Sequence, residues 1–243
     1  MKEDLSERQA QLLKAIVEEY IETSEPVGSQ NLVQKYNLSV SPATVRNEMA
    51  ALTTKGYLAQ PHTSAVRAPS NIGWRYYLQY LMENKELPIL QEVALKQRLW
   101  QERFEFNKLL RSAALALSDV TTGLGIASTF EGHLFYAGAG NLLSNIEFYD
   151  IEVMKAVLNL LDHDEKFLHL VEKVAGDRET HVFLGEDLGI PGLANCSLVF
   201  AHFNTGKHRG TAAIIGPARM RYNQVIPTVK QVSSLLSDLS GTW

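Results

Sequence analysis

The run Ser41 to Leu58, SPATVRNEMAALTTKGYL, combines side chains able to address nucleic acid with a spacing that presents them together. At 100° per residue, Val45, Met49 and Leu52 share one side of a helix, and Ala43, Asn47, Ala50 and Thr54 fall opposite. Arg46 flanks that outer side and Thr44 stands on its other flank. A surface helix made only for solubility shows Glu and Lys there. This face is low instead. Small residues allow close approach to another surface, Asn, Thr and Arg can hydrogen-bond base edges, and an alanine methyl can meet a thymine methyl. The chemistry is that of a helix in a major groove. Ser41, Thr44 and Asn47 taken singly also suit a merely solvated surface, so each has two readings. Lys55, at the helix end, is placed to meet a phosphate.

The elements that must position this helix are well marked. Ser41 is a good N-cap, Pro42 suits the first helical position, where a missing N–H costs nothing, and Gly56 stands where the chain leaves the helix. Ser6 with Gln9 forms a capping box, and Leu12, Leu13, Ile16, Val17, Tyr20 and Ile21 recur at helical spacing, which predicts a helix over 6–23. SEPVG ends it, a short helix follows over 29–36, and YNLSV turns the chain. After Gly56, YLAQPHTSAVRAPS has no helical period and contains Pro61 and Pro69, which fits two short strands around a loop of His62 to Arg67. A fourth helix begins at Ser70. Helix, helix, helix, strand, loop, strand is the order of a winged helix-turn-helix, assigned to residues 1–82.

Residues 83–119 read as a linker, ENKELP, and one long helix opened by Pro88. Its apolar stripe of Leu99, Phe106, Leu110, Ala113 and Leu117 suits packing on its own domain or pairing between subunits. Over 120–243, GIASTF, HLFYAG and HVFLGE read as strands, and EVMKAVLNLL and EKFLHLVEKV as helices. CSLVFAHF and RGTAAIIG form a hairpin around NTGKH, and YNQVIPTVKQVSSLLSDL is a closing helix with Pro227 near its start. The fold class is α+β: a winged helix-turn-helix followed by an antiparallel sheet flanked by helices.

The 243 residues are 45% hydrophobic, enough for real cores, and no run of 18 apolar residues appears. The charged opening MKEDLSERQAQ is unlike a signal peptide, so a cytoplasmic protein is expected. A single cysteine, Cys196, excludes an internal disulfide and any zinc site of paired cysteines, and reads as a buried small residue. The net charge of −4 argues superficially against nucleic acid, but its distribution decides. From Ser29 to Met82 there are five bases, Lys35, Arg46, Lys55, Arg67 and Arg75, against the one acid Glu48, a local +4 that suits phosphate contact.

Other chemistry is not nominated. The TGK at 205–207 lacks the Gly of a phosphate-binding loop, since Ala201 stands there, and has His208 where Ser or Thr is needed. GAGNLL lacks the third glycine of a dinucleotide site. His163 and His169 are six apart and fall on different helix faces, and His202 and His208 read as polar residues flanking a hairpin turn. No GxSxG is present. The expectation is no catalytic residue, no metal and no cofactor, although a dispersed constellation is not legible without a fold.

The segment LSERQAQLLKAIVEEYIETSEPVGSQNLVQKYNLSVSPATVRNEMAALTTKGYLAQPHTSAVRAP resembles the winged-helix domain of the HrcA family, the heat-inducible transcription repressors of bacteria. EPVGS, YNLSVSPATVRNEM, KGYL and QPHTSA agree in order, and GNLLSNIEFYDIEVMKAVLNLL and GPARMRYNQVIP are similar to that family's second domain and end. The resemblance implies a homodimeric, sequence-specific repressor that binds a CIRCE-type inverted repeat upstream of chaperone operons. It further implies activation by the GroE chaperonin, release on heating, and a second domain of GAF-like fold. It places Thr44, Arg46 and Asn47 in the recognition helix and His62, Thr63, Ser64 and Arg67 in the wing. Two departures stand out. Val66 and Ala68 occupy wing positions where the family usually has Gly and a β-branched aliphatic residue. Between TTGLGIAS and HLFYAGAGNLL the chain lacks a stretch that in the family holds sheet strands and an inserted dimerising domain, so the GAF-like sheet should be abbreviated or rebuilt. The alternative function is a small-molecule-responsive winged-helix regulator with its ligand in the C-terminal domain.

Overall fold

The structure, a computed structural model, describes residues 5–36, 40–61, 65–172, 174 and 180–239. The chain divides into two compact units, Met1–Asn84 and Lys85–Trp243.

In the first unit, α1 (Glu7–Thr23) starts at the expected capping box: the Gln9 N–H donates to Ser6 Oγ at 3.2 Å, and the Ser6 N–H to Gln9 Oε1 at 3.3 Å. Helices α2 (Ser29–Lys35) and α3 (Pro42–Thr54) follow, with Ser41 capping α3 through the Thr44 N–H. Gly56 leaves α3 at φ +82°, a conformation that side-chain-bearing residues rarely adopt. Strands β1 (Leu58–Ala59) and β2 (Ala68–Pro69) pair antiparallel, Leu58 with Pro69 and Ala59 with Ala68. A third piece of backbone joins them. Val27 and Arg67 exchange N–H···O bonds of 2.7 and 2.9 Å, so the turn after α1 is laced to the base of the wing. The chain then enters α4 (Asn71–Tyr76), which continues as a π turn over Tyr77–Leu81.

The second unit opens with α5 (Ile89–Gln101) and α6 (Phe106–Thr121), where the sequence predicts one uninterrupted helix. Tight turns over 102–105 separate them, and Arg103 donates to the Trp100 carbonyl at 2.8 Å while its guanidinium lies over the Trp100 and Phe104 rings. The stripe itself packs inside this unit, since Leu99, Leu110, Ala113 and Leu117 are fully buried.

The sheet has the order β4-β3-β7-β6-β5, antiparallel throughout: β3 (Leu124–Thr129), β4 (Leu134–Ala137), β5 (His181–Leu184), β6 (Cys196–Asn204) and β7 (Arg209–Pro217). Alternation along the strands makes two apolar faces. After the short helix α7 (Ala139–Leu142), α8 (Ile151–Asp162) and α9 (Asp164–Glu172) cover one face, packing against Leu124, Ile126, Leu198, Phe200, Ala213 and Ile215. The opposite face meets α6 and the closing helix α10 (Tyr222–Leu239). Gly125 is needed there, because a Cβ would stand 2.2 Å from the Ala114 carbonyl of α6. Two helical layers thus enclose a five-stranded sheet, the helix-flanked, GAF-like arrangement expected. Between TTGLGIAS and HLFYAGAGNLL, where the resemblance implies a missing stretch, β3 and β4 are joined directly, with the Thr129 N–H donating to the His133 carbonyl at 2.8 Å.

Candidate nucleic-acid interface

Helix α3 is fixed from behind and left open in front. Val45, Met49 and Leu52 are buried against the rest of the unit. Glu48, the single acid of the segment 29–82, turns to α1, where Gln9 Nε2 donates to it at 3.0 Å and Arg8 pairs with it. The Gln9 hydrogen bond, with Arg8 and the nearby Lys55 adding to it, holds its carboxyl below the usual carboxylate range. Its charge is therefore engaged within the protein rather than presented with the outer face. Gln9 also accepts from Lys55 Nζ at 3.1 Å, so one residue caps α1 and holds both Glu48 of α3 and Lys55 just beyond its end.

On the outer side, Ala43, Arg46, Asn47, Ala50 and Thr54 are exposed. Arg46 and Asn47 have no side-chain hydrogen bond among the described residues, and Arg46 has no ion pair there. Their donors and acceptors face solvent. Ser41 and Thr44 are differently placed: their hydroxyls lie 3.0 Å apart, and Ser41 Oγ also accepts the Thr44 N–H at 3.2 Å. They shape the helix start before they meet anything else. Arg67 donates from Nε to Thr53 Oγ1 at 3.0 Å and from Nη1 to the Val66 carbonyl at 2.9 Å, bracing the base of the wing against α3. His62, Thr63 and Ser64, the remaining wing expectations, lie outside the described residues.

The charge count also changes in three dimensions. Lys35 is bound by Glu19 and Glu22 of α1, both at 2.7 Å, so it adds little to a basic footprint. Of the other bases, Arg46 stands exposed with no side-chain partner among the described residues, whereas Lys55 and Arg67 are held by Gln9 and Thr53. Sequence reasoning overlooked Arg8, Gln9, Val27 and Thr53 as positioning groups. The capping box marked Gln9, but its bond to Glu48, 39 positions away, has no local signal.

The histidines depart from their expected exposed, polar character. His202 is half-buried within β6, bonded to Thr211 Oγ1 at 2.9 Å, and burial lowers its pKa. His208 stacks on Phe106 with centroids 4.4 Å apart. Cys196 is buried and its thiol pushed up to about 12 by desolvation. Among the described residues there is no cluster of three or more metal-ligating side chains, and no helix long and apolar enough to cross a membrane.

A three-helix unit with a small wing and an open, low-faced third helix defines a winged-helix DNA-binding protein, here joined to an α+β unit of GAF-like fold. Comparison agrees at both ends. The model of the LexA DNA binding domain matches residues 2–67, and that of the HrcA protein C-terminal domain matches residues 74–226, more than half of the chain. The chain belongs to the HrcA family. It is 27% identical to the heat-inducible transcription repressor HrcA of Symbiobacterium thermophilum, over 97% of this chain and 99% of that protein. It is 28% identical to the HrcA of Desulforudis audaxviator, over 96% and 97%. The first alignment runs to 341 positions, so at least 98 of them, the excess over 243 residues, fall opposite gaps in this chain. A crystal structure of a hypothetical protein at 2.2 Å shares the fold with a TM-score of 0.80 and 20% identity, covering 98% of this chain and 99% of that one.

Proposed function

We propose that the protein is a sequence-specific transcription repressor of heat-inducible genes, acting as a homodimer on an inverted repeat of the CIRCE type. The observation that carries this reading is the outer face of α3, where Arg46 and Asn47 stand exposed and unpartnered among small side chains. Two such helices would enter successive major grooves roughly 34 Å apart, with Arg46 and Asn47 addressing bases and Lys55 a phosphate. Ser41 and Thr44 set the helix start close to the DNA, and Arg67 sets the angle of a wing whose His62, Thr63 and Ser64 reach the backbone. Occupancy of the operator blocks the promoter. Assistance from the GroE chaperonin and release on heating belong to the same reading by family resemblance, as does action in the cytoplasm without a catalytic step or cofactor.

Fluorescence anisotropy with a CIRCE-like repeat and a scrambled duplex, over a range of salt, tests it. The expected result is two subunits per duplex and a preference of about a thousandfold or more for the repeat. The Lys55→Ala variant should flatten the plot of log affinity against log salt by about 0.9. Weak, equal and salt-steep binding to both duplexes would mean that the unit has kept its charge without reading sequence, and an unchanged slope would remove Lys55 from the interface.

A further inference from the structure

We infer that the C-terminal unit contains a binding site for a small organic anion with an apolar body, in the cleft between α8, α9 and the segment 185–192. The cleft measures about 720 Å³, within the usual range for small-molecule sites. Its floor is apolar, formed by Leu160, Leu170, Phe183, Leu188 and Ile190, residues of the core on this side of the sheet or packed against it. This part of the cleft suits a hydrocarbon or aromatic body.

The polar wall carries two acids, Glu152 and Asp187, and two lysines, Lys155 and Lys166, which are unequally engaged. Glu152 is bound by Lys155 at 2.6 Å, and Asp187 accepts the Leu184 N–H at 3.0 Å, so both acids are engaged within the protein. Lys166 and His169 stand three residues apart on α9, both line the cleft, and neither side chain has a hydrogen bond or ion pair among the described residues. Asn159 adds an amide on the α8 side. A neutral or cationic occupant would cover Lys166 without pairing its ammonium and would leave it partly desolvated. An anion pairs with this unpartnered ammonium and accepts hydrogen bonds from it. This is where a small-molecule-responsive regulator would take its effector. The inference does not depend on the reading of α3, and its test does not involve DNA.

The probe is 8-anilinonaphthalene-1-sulfonate, an aromatic body with one fixed negative charge, compared with N-phenyl-1-naphthylamine, which has the same body without the charge. Both are titrated by fluorescence against the full chain. The sulfonate should bind at least about tenfold more tightly than the neutral dye, and Lys166→Ala should remove roughly that factor while leaving neutral-dye binding and the melting temperature unchanged. Lys96→Ala is the control, because Lys96 borders a separate apolar groove on α5 with Val93 and Trp100 where dye could also settle. It should change neither titration. Equal affinity for the two dyes, no binding of the sulfonate, or sensitivity to Lys96→Ala in place of Lys166→Ala would each overturn the inference.

Discussion

Arg46 in the first unit and Arg219 in the second are used in opposite ways. Arg46 stands in the open on α3, with no hydrogen bond or ion pair among the described residues. Arg219 is 12% exposed and clamped: Nε meets Glu147 at 2.7 Å, Nη2 meets its other oxygen at 3.0 Å, and Nη2 also donates to Asn145 at 3.2 Å. Glu147 lies in SNIEFYD and Arg219 in GPARMRY, so the clamp ties two segments 72 residues apart, each of which resembles the family's pattern. A guanidinium satisfied within the fold adds to its cohesion and has little left for a ligand. One held out on a braced helix does the reverse. The first unit therefore keeps its chemistry outside and its positioning groups behind, whereas the second spends its best polar geometry on holding itself together.

Breaking the clamp should give the largest effect. Arg219→Ala leaves the Glu147 carboxylate, 13% exposed, without its cation, and about 3 kcal/mol of stability should be lost from the second unit in denaturant melts. Arg219→Lys should recover only part, because an ammonium cannot match both carboxylate oxygens as the planar fork does. A loss below about 0.5 kcal/mol would reduce the clamp to the value of a surface pair and dissolve the contrast.

The open arginine should behave inversely. Arg46→Ala, or Asn47→Ala beside it, should leave thermal stability almost unchanged and cost about 1 to 3 kcal/mol of specific DNA binding, relaxing preference at particular base pairs. Measured on a set of singly substituted operators, a loss that is equal on every sequence would show that the side chain does not read bases.

The difference between the units also explains what could be read in advance. The ends of α3 were legible because caps are local: Ser41, Pro42 and Gly56 each act within a few residues, and all three stand where the helix requires them. The β6–β7 hairpin was legible for the same reason, with Asn204 facing Arg209 across its turn. The break between α5 and α6 was not, since no Gly or Pro marks 102–105 and Leu99 and Phe106 keep a seven-residue spacing across it. Nor were the Val27–Arg67 bridge, the Gln9–Glu48 bond or the Arg219 clamp, each of which joins residues 39 or more positions apart. Of the candidate interface, the exposure of Arg46 and Asn47 followed from helical spacing, whereas the roles of Arg67 and Lys35 depended on partners that periodicity does not reveal. The cleft beside α9 is a property of packing, with no linear signature.

Glu48 tests the comparison from inside the first unit, because it is the one ion of α3 that is tied down. Its carboxyl titrates below the usual range through Gln9 and Arg8, so it contributes stability fully present above the ordinary carboxylate value of about 4.3 and lost as pH falls through the lower folded value. Arg8 is 61% exposed, so water screens the pair and the contribution is small. Glu48→Gln should therefore cost about 0.5 to 1 kcal/mol at pH 7, measured by denaturant unfolding, and the gap to the parent protein should narrow as pH drops below about 4. A gap that persisted unchanged to pH 2 would mean that the carboxyl's shape and its Gln9 hydrogen bond matter there, and its charge does not. A gap that closed, with non-specific DNA affinity unaffected at neutral pH, would show that the negative charge works toward α1 alone and leaves the outer face of α3 to Arg46 and Asn47.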